Sequence, residues 1–366
     1  MENRPEIRRK LLVWFSRRGR SLPWRAGFSP YAVWISEIML QQTQVETAVP
    51  YYLRFMSAFP SLKSVAEAPL EAVLKTWEGL GYYSRARNIQ KSALRILDQH
   101  GGDFPDRLDD LVALPGIGRS TAGAILSLSF NKPFPILDGN VRRVLSRLFS
   151  VKLPAGTRLD KELWSLSSIL VSGNHPRQFN SALMDLGATV CTPRNPLCTQ
   201  CPLKKACIGL KENLQATLPM KVRKKPIPVR HHAAWIVWSG KRALIERRPE
   251  KGLWGGLWGF PEQPVAASSD STEIPEPAKS LKPDFKVTRP RFLCRLRHAF
   301  THFKLVLDVY ETVSAGNHLP EESSERKWIA PSEMARLPFS SLHGRIRDGL
   351  GKSGPLTTQG RGAEKG

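Results

Sequence analysis

Four of the five cysteines lie in one short stretch, as Cys191, Cys198, Cys201 and Cys207. In a reducing compartment this crowding favours a metal centre over disulfide bonds. Four thiolates can enclose a [4Fe–4S] cluster. They can also bind one zinc ion, although zinc sites more often use two C-x2-C pairs and only one is present. Cys294 stands apart, and we expect it to be an ordinary buried thiol.

Two carboxylates stand where acid–base chemistry is possible. Glu37 interrupts an apolar helical run at 33–40. A buried glutamate there has a raised pKa and can act as an acid, whereas an exposed one lies on the solvent face. Asp138 precedes an apolar helical pattern that begins at Val141, so its commoner role is that of a helix N-cap.

A glycine-containing turn separates two helical segments, with the sequence Leu114-Pro115-Gly116-Ile117-Gly118. The glycines permit positive φ angles and close approach of the backbone to a partner. Amide groups ahead of the following helix can hold a phosphate oxygen, and the Ser120 hydroxyl can add a contact. The alternative is a plain tight turn between helices.

Apolar periodicity predicts a mainly helical domain over residues 1–212. The helical spacing recurs at 7–15, 33–40, 70–77, 89–97, 121–128, 141–149 and 163–170. A basic, proline-containing linker is predicted at 213–230. A second, α/β domain follows at 231–350, and the Gly-rich residues 351–366 are predicted to be disordered.

The second domain is predicted from alternating and β-branched residues. Strand-like composition is found at 233–238, 242–246, 286–288 and 305–312. The polar, proline-rich residues 262–284 are predicted to form a mobile loop.

The charge balance indicates a polyanionic partner. Lysine and arginine number 55 against 32 acidic residues, which gives a net charge of +23. Such an excess favours nucleic acid, because phosphate neutralisation releases counterions, although a generically basic surface is the alternative. No stretch approaches the roughly 20 apolar residues that span a bilayer. We expect no membrane partner, a monomer, and a cytoplasmic, nucleoid-associated location.

Three longer strings resemble a known family. Residues 34–43 (WISEIMLQQT), 79–88 (GLGYYSRARN) and 138–140 (DGN) are similar to the helix-hairpin-helix glycosylase superfamily, and within it to adenine DNA glycosylases of the MutY type. The resemblance covers residues 1 to about 212. It implies a helix-hairpin-helix domain with a [4Fe–4S] cluster in the 191–207 loop.

The resemblance also implies a reaction on double-stranded DNA. Glu37 would protonate adenine at N7, and Asp138 would stabilise the oxocarbenium-like sugar. Because a stacked base cannot be reached, the adenine must be flipped out of the duplex. The family assigns the filling of the gap to the positions of Gln42 and Tyr82. Without the resemblance, these residues are equally a helix-surface amide and a core tyrosine.

Ser120 narrows the predicted reaction to base removal. Endonuclease III-type relatives carry a lysine there, and its amine attacks the sugar to form a Schiff base, which serine cannot do. We therefore expect a monofunctional adenine glycosylase for A:8-oxoguanine or A:G mispairs. The alternatives are an endonuclease III-like bifunctional glycosylase/lyase and a non-catalytic DNA-binding protein.

The second domain resembles a Nudix module that has lost its catalytic residues. Residues 252–262 are similar to the segment entering a Nudix box, but the carboxylates for Mg²⁺ do not follow, and Asp270, Ser271 and Thr272 stand where the motif would begin. In the family this domain reads 8-oxoguanine, with a loop that matches Phe300, Thr301 and His302. The family usually has serine where Thr301 stands. The alternative for this loop is a strand edge with a core phenylalanine.

Overall fold

A computed structural model of the chain describes residues 4–220, 226–266, 287–315 and 321–350. Part of the predicted linker (221–225), most of the predicted mobile loop and the predicted disordered tail (351–366) lie outside these ranges. The chain divides into two compact units. The first contains Met1–Ala68 and Arg87–Lys224, and the second contains Pro69–Ala86 and Lys225–Gly366.

Helices dominate the first unit, and strands the second. In chain order the α-helices are α1 (Arg4–Arg18), α2 (Pro30–Leu40), α3 (Val45–Ala58), α4 (Leu62–Glu67), α5 (Leu70–Thr76), α6 (Ser84–His100), α7 (Leu108–Val112), α8 (Arg119–Ala124), α9 (Gly139–Leu148), α10 (Thr157–Val171), α11 (Pro176–Thr189), α12 (Ile208–Lys211), α13 (Pro331–Met334) and α14 (Ser341–Gly349). A π-helical stretch, Ile125–Ser129, continues α8, and short 3-10 turns form at Pro23–Arg25 and Cys198–Gln200. No helix among the described residues is both long and apolar enough to cross a membrane.

The predicted helices are confirmed, and the sequence explains where α2 begins. The Ser29 hydroxyl caps α2 by accepting from the Ala32 amide at 3.2 Å, and Pro30 occupies the first helical position without losing a needed N–H. Helices α3, α4, α7, α11, α12, α13 and α14 are additional to the predicted set. A core of buried aliphatic side chains, among them Leu11, Leu145 and Leu163, joins α1, α9, α10 and α11.

A buried ion-pair network anchors the segment after α1. Asp185 on α11 is fully buried and accepts from the Arg20 amide and guanidinium at 2.9 and 2.8 Å. Arg25 adds a bidentate contact at 2.8 and 2.9 Å. Burial works against ionisation of Asp185, but the two arginines outweigh it and hold the pKa of this carboxyl below its usual value.

In the second unit, seven strands form one mixed sheet. They are β1 (Val229–Ser239), β2 (Arg242–Arg247), β3 (Trp258–Gly259), β4 (Glu262–Pro264), β5 (Arg291–Ala299), β6 (Lys304–Val313) and β7 (Arg326–Ile329). The order is β3-β2-β1-β6-β5, with β4 also paired to β1 and β7 to β2. Only β1 and β6 pair in parallel, and the central run of β1 at 233–238 is buried, as expected of a strand covered on both faces.

The segment 69–86, which the sequence places among the helices, packs with the sheet. Glu71 of α5 accepts from the Trp258 indole at 2.5 Å. The Tyr83 hydroxyl donates to the Phe339 carbonyl at 3.1 Å, and Glu78 pairs with Arg347 at 2.8 Å. These contacts make a helical segment from the middle of the chain part of the second unit.

Three predictions for the second unit are corrected. Of the described residues in the strand predicted at 286–288, Val287 makes only an isolated bridge to Ser314, and the strand itself is β5, further along. Residues 262–264, placed in the predicted mobile loop, form β4. Cys294 is exposed rather than buried, because β5 is an edge strand of the sheet.

We predict that Asp185→Asn strongly destabilises the helical unit, because it leaves two partly buried guanidinium groups without their anion. Breaking a buried ion pair costs about 3–5 kcal/mol. The urea dependence of the helical circular dichroism signal measures this loss. Asp160→Asn is the matched control, since its pair with Arg142 is partly exposed and is worth about 0–1 kcal/mol. An equal loss in both variants would contradict the prediction.

Candidate active site

Glu37 lies near the carboxyl end of α2, in a helix whose other residues are mostly buried. Burial, and then the negative charge of Asp138, raise the pKa of Glu37 to about 8, against a smaller opposing effect of Arg25. Among the described residues, no group hydrogen-bonds to this carboxyl. The predicted alternative of a glutamate on the solvent face is thus ruled out by the environment, which favours a protonated acid at neutral pH.

Asp138 is the helix N-cap that its position suggested, and it also lines the cavity. Its carboxylate caps α9 by accepting from the Val141 amide at 2.7 Å, and it also accepts from the Asn140 side-chain amide at 3.2 Å. Burial raises the pKa of Asp138, while these hydrogen bonds and the charge of Arg143 oppose the rise. The helix cap therefore stabilises the ionised form of the same carboxylate that faces the cavity.

Glu37, Asp138 and Ser120 line one cavity of about 710 Å³ in the first unit. The sequence separates these residues by up to a hundred positions, and the fold brings them together. Apolar lining comes from Leu40, Leu137 and Met184, among other residues. A concave site with convergent polar groups and a strongly shifted acid has the properties of a catalytic pocket.

Ser120 acts on the loop that carries Asp138. Its hydroxyl accepts from the Leu137 amide at 3.1 Å, next to the catalytic candidate. Among the described residues that line the cavity there is no lysine. Ser120 therefore contacts the backbone of the segment that carries Asp138.

The hairpin is built as the glycine pattern suggested. Leu114 is buried, and Gly116 has φ +79° with Asn88 so close that an added Cβ would approach its side chain to 2.9 Å. Ser92 donates to the Pro115 carbonyl at 2.8 Å and holds the turn against α6. Gly118 forms the N-cap of α8, where an added Cβ would meet open space. An exposed amide-rich turn ahead of a helix suits a phosphate.

Gln42 follows α2 in a left-handed conformation with φ +60° and is exposed. Its neighbours Gln41 and Thr43 line the cavity. Left-handed backbone is uncommon for a residue with a side chain and persists where the surroundings require it. The conformation turns this amide out of the helix at the rim of the cavity.

Three residues that line the cavity or act on its charges were not predicted from the sequence. Asn140 donates to Asp138, Arg143 donates to the side-chain oxygen of Asn140 at 2.9 Å, and Arg25 opposes the rise in the pKa of Glu37. The string Asp138-Gly139-Asn140 was a signal for the first of these. No local pattern identifies Arg25, because its influence on Glu37 depends on the tertiary fold.

In the second unit, Phe300, Thr301 and His302 form the tip of the hairpin between β5 and β6. Phe300 donates from its amide to the Phe303 carbonyl at 2.8 Å and stacks on the Phe303 ring at 4.5 Å. Thr301 and His302 are exposed. The predicted alternative of a core phenylalanine is wrong, because Phe300 is only partly buried, in an aromatic group at the tip.

Tyr82 and Thr301 meet within the second unit. Their hydroxyl oxygens are 3.0 Å apart. Tyr82 has φ +49° and is 48% exposed, so it is not the core tyrosine of the alternative interpretation. Two residues singled out separately in the sequence, 219 positions apart, thus belong to one surface.

The cysteine loop surrounds a buried arginine of α9. Arg147 is 2% exposed and donates to the Thr192 carbonyl at 2.7 Å, the Leu218 carbonyl at 2.9 Å and the Cys191 sulfur at 3.4 Å. Burial, and then nearby cysteines, raise the pKa of Cys201 to about 12. Among the described residues, no three His, Cys, Asp or Glu side chains are arranged to hold a single metal ion.

Comparisons with known proteins agree with this architecture. Residues 35–168 match the family of HhH-GPD superfamily base excision DNA repair proteins, and residues 232–348 match the NUDIX domain. The fold of a thermostable thymine-DNA glycosylase superimposes with a TM-score of 0.52 at 28% identity, covering 58% of this chain and 98% of that one.

Two curated relatives cover most of the chain. An adenine DNA glycosylase of Buchnera aphidicola is 43% identical over 69% of this chain and 73% of its own length. The adenine DNA glycosylase of Homo sapiens is 35% identical over 93% of this chain and 73% of its own length. With the cavity, the hairpin and both matched domains in place, the chain belongs to the adenine DNA glycosylase family.

Proposed function

We propose that this protein is a monofunctional DNA glycosylase that hydrolyses the N-glycosidic bond of adenine paired with 8-oxoguanine or guanine. One observation carries the proposal: a single cavity contains a carboxylic acid, Glu37, whose pKa is raised to about 8, and a second carboxyl group, Asp138, whose hydrogen bonds favour its ionised form against the effect of burial. Two carboxyl groups with opposite protonation suit cleavage of a glycosidic bond.

Glu37 acts first as the general acid. Adenine is a poor leaving group as an anion, so the proton passes from the Glu37 carboxyl to N7 as the bond to C1′ breaks. The base leaves neutral, and the bonding electron pair leaves with it. The Glu37 carboxylate then accepts a proton from the water that attacks C1′, which returns the acid to its starting state.

Asp138 stabilises the positive charge that develops on the sugar. Its hydrogen bonds to Val141 and Asn140 support the anion in a cavity where few waters screen it. The same negative charge raises the pKa of Glu37 and so helps to keep the acid protonated. The two residues therefore support each other's protonation state.

Duplex DNA is the proposed partner. The net charge of +23 suits a phosphate backbone, and the hairpin with Leu114, Gly116 and Gly118 offers amides to one phosphate. The adenine reaches the cavity only after leaving the stack, and Gln42 and Tyr82 are proposed to fill the space left behind. We propose that Ser120, which follows the hairpin, holds the loop of Asp138 in place next to the bound DNA backbone.

The second unit is proposed to read the base opposite adenine. Phe300, Thr301 and His302 would make the contact to 8-oxoguanine from the exposed hairpin tip. Nudix-type hydrolysis is not proposed, because the carboxylates that such a motif needs for Mg²⁺ do not follow residues 252–262. The module thus serves binding.

A [4Fe–4S] cluster is proposed on Cys191, Cys198, Cys201 and Cys207. The buried Arg147 has no carboxylate partner among the described ion pairs, which suits an anionic group at the thiolates. Zinc is the alternative occupant, but zinc sites more often use two C-x2-C pairs, and only one is present in this loop. When bound, the cluster would stabilise the basic loop that carries Arg194, Lys204 and Lys205.

Further assignments rest on the same family. The domain boundaries 1–212 and 231–350, joined by the 213–230 linker, are proposed as the catalytic and the reading domain. A monomer working at the nucleoid in the cytoplasm is the proposed state.

We predict that Glu37→Gln lowers adenine release at least about 10²–10⁴-fold, the usual contribution of a general acid. A single-turnover assay on an A:8-oxoguanine duplex measures it. In the unmodified protein, the rate should fall as the pH rises through about 8, because the acid loses its proton. Glu67→Gln, an exposed glutamate paired with Lys63, is the control and should keep the full rate. Tight binding without release in the unmodified protein would support a non-catalytic DNA-binding protein instead.

Without a lysine in the cavity, we expect no Schiff base with the sugar. Treatment with borohydride during turnover should trap no protein–DNA adduct above background, while an endonuclease III-type enzyme under the same conditions should be trapped. A robust adduct would favour the bifunctional lyase.

Purified protein is predicted to contain iron and acid-labile sulfide in equal amounts, about four of each per chain. Cys201→Ser should lose both and weaken duplex binding, because the basic loop loses its support. Cys294→Ser, outside the group, should retain the iron. Stoichiometric zinc without a visible absorption band would instead assign the site to zinc.

A further inference from the structure

A cluster of charged side chains is buried beneath the sheet of the second unit, and the proposed reaction does not use it. Glu262 of β4 is 3% exposed and accepts from His232 at 2.5 Å and from His343 at 2.8 Å. Arg248 forms an ion pair with the same carboxylate. Burial opposes ionisation, but the hydrogen bonds from the two histidines outweigh it, so the pKa of Glu262 lies well below its usual value.

His343 is held in one orientation. Its Nδ1 accepts from the Phe260 amide at 2.9 Å, so Nε2 carries the proton that is donated to Glu262. The ring stacks on Phe260 at 6.0 Å and leaves so little room that a Cβ on Gly259 would approach it to 2.9 Å. The fully buried imidazole therefore has a fixed position and orientation in the cluster.

Trp254 packs against the His343 ring. Its ring meets the edge of His343 at 5.6 Å, and the Arg248 guanidinium lies 5.1 Å from the ring centre. Trp254 has φ +57°, an unfavourable backbone conformation for a bulky residue. Contacts with neighbouring residues must offset the energetic cost of this conformation, and His343 and Arg248 provide two of them.

Trp254 in turn supports the hairpin tip. Its ring packs on Phe300 at 5.6 Å, and Phe300 stacks on Phe303. The next residue along the chain is Thr301, whose hydroxyl meets that of Tyr82. An unbroken series of contacts thus runs from the buried carboxylate to the surface proposed to read the opposite base.

We propose that Glu262 is a positioning residue for base recognition, which, through Arg248 and His343, holds Trp254 against Phe300 and so fixes the Phe300–His302 tip. This rests on the proposed function of the tip. The proposal explains why the tip is rigid: the rigidity comes from the buried ionic cluster around Glu262 and not from contacts within the loop itself.

The negative charge of Glu262 is essential to this role. A glutamine has the same shape but only one accepting oxygen, so it cannot serve His232, His343 and Arg248 together. The Arg248 cation would then be left without its anion in a largely buried position. It would move toward solvent and release Trp254.

The test compares Glu262→Gln with Glu246→Gln, a control that removes the partner of Arg326 elsewhere in the same sheet. Hydrogen exchange of the Phe300 amide, which is bonded to Phe303, reports on the tip. Single-turnover rates on A:8-oxoguanine and A:G duplexes report on discrimination. We expect Glu262→Gln to exchange about tenfold faster and to lose about tenfold in preference for 8-oxoguanine, with the rate on A:G unchanged.

A folded Glu262→Gln protein with unchanged exchange and unchanged preference would overturn the proposal, as would an equal effect of Glu246→Gln. If Glu262→Gln does not fold, Arg248→Met decides the question with the same expected shifts, because it removes the cation between the carboxylate and Trp254. If the unmodified protein shows no preference for 8-oxoguanine, the proposed function of the tip fails, while the exchange rates still decide whether Glu262 holds it.

Discussion

The site depends on one electrostatic constraint: two carboxyl groups that are both desolvated by burial line the same cavity. Desolvation disfavours the charge of both, and each charge disfavours the other, so they cannot ionise equally. The surrounding structure decides which one does. The amide of Val141 and the side chain of Asn140 favour the anion at Asp138, whereas Glu37 receives no such bond from the described residues and burial raises its pKa to about 8.

Elsewhere the fold matches buried charges closely. Asp185 is balanced by two arginines, and Glu262 by two histidines and an arginine. These groups are held in place because moving one would expose an uncompensated charge in a medium of low polarity. Against that background, Glu37 differs: it lines the cavity, the described residues provide no hydrogen bond to its carboxyl group, and its pKa is strongly raised, which is typical of a functional group.

The segment 69–86 shows how chain order and spatial order differ. Its helix α5 and the following turn carry Glu71, Tyr83 and Glu78, each of which has a partner beyond residue 250. The string 79–88 therefore serves the second unit as well as the helical part of the chain in which it is found. Tyr82, placed by this segment next to Thr301, becomes part of the surface of the second unit.

The sequence by itself determined the helical first part and the α/β second part, and it singled out the candidate catalytic and metal-binding residues. Local signals suffice for these, because a Ser-Pro helix start, a glycine turn and alternating apolar residues act over only a few positions. Motif strings identified Glu37, Asp138 and the cysteines, but not whether Glu37 was buried. The tertiary structure alone decided the raised pKa of Glu37, the exposure of Cys294 on an edge strand, the union of 69–86 with the sheet, and the Glu262 cluster. Each of these depends on desolvation or on contacts between residues distant in the chain, which no local pattern encodes.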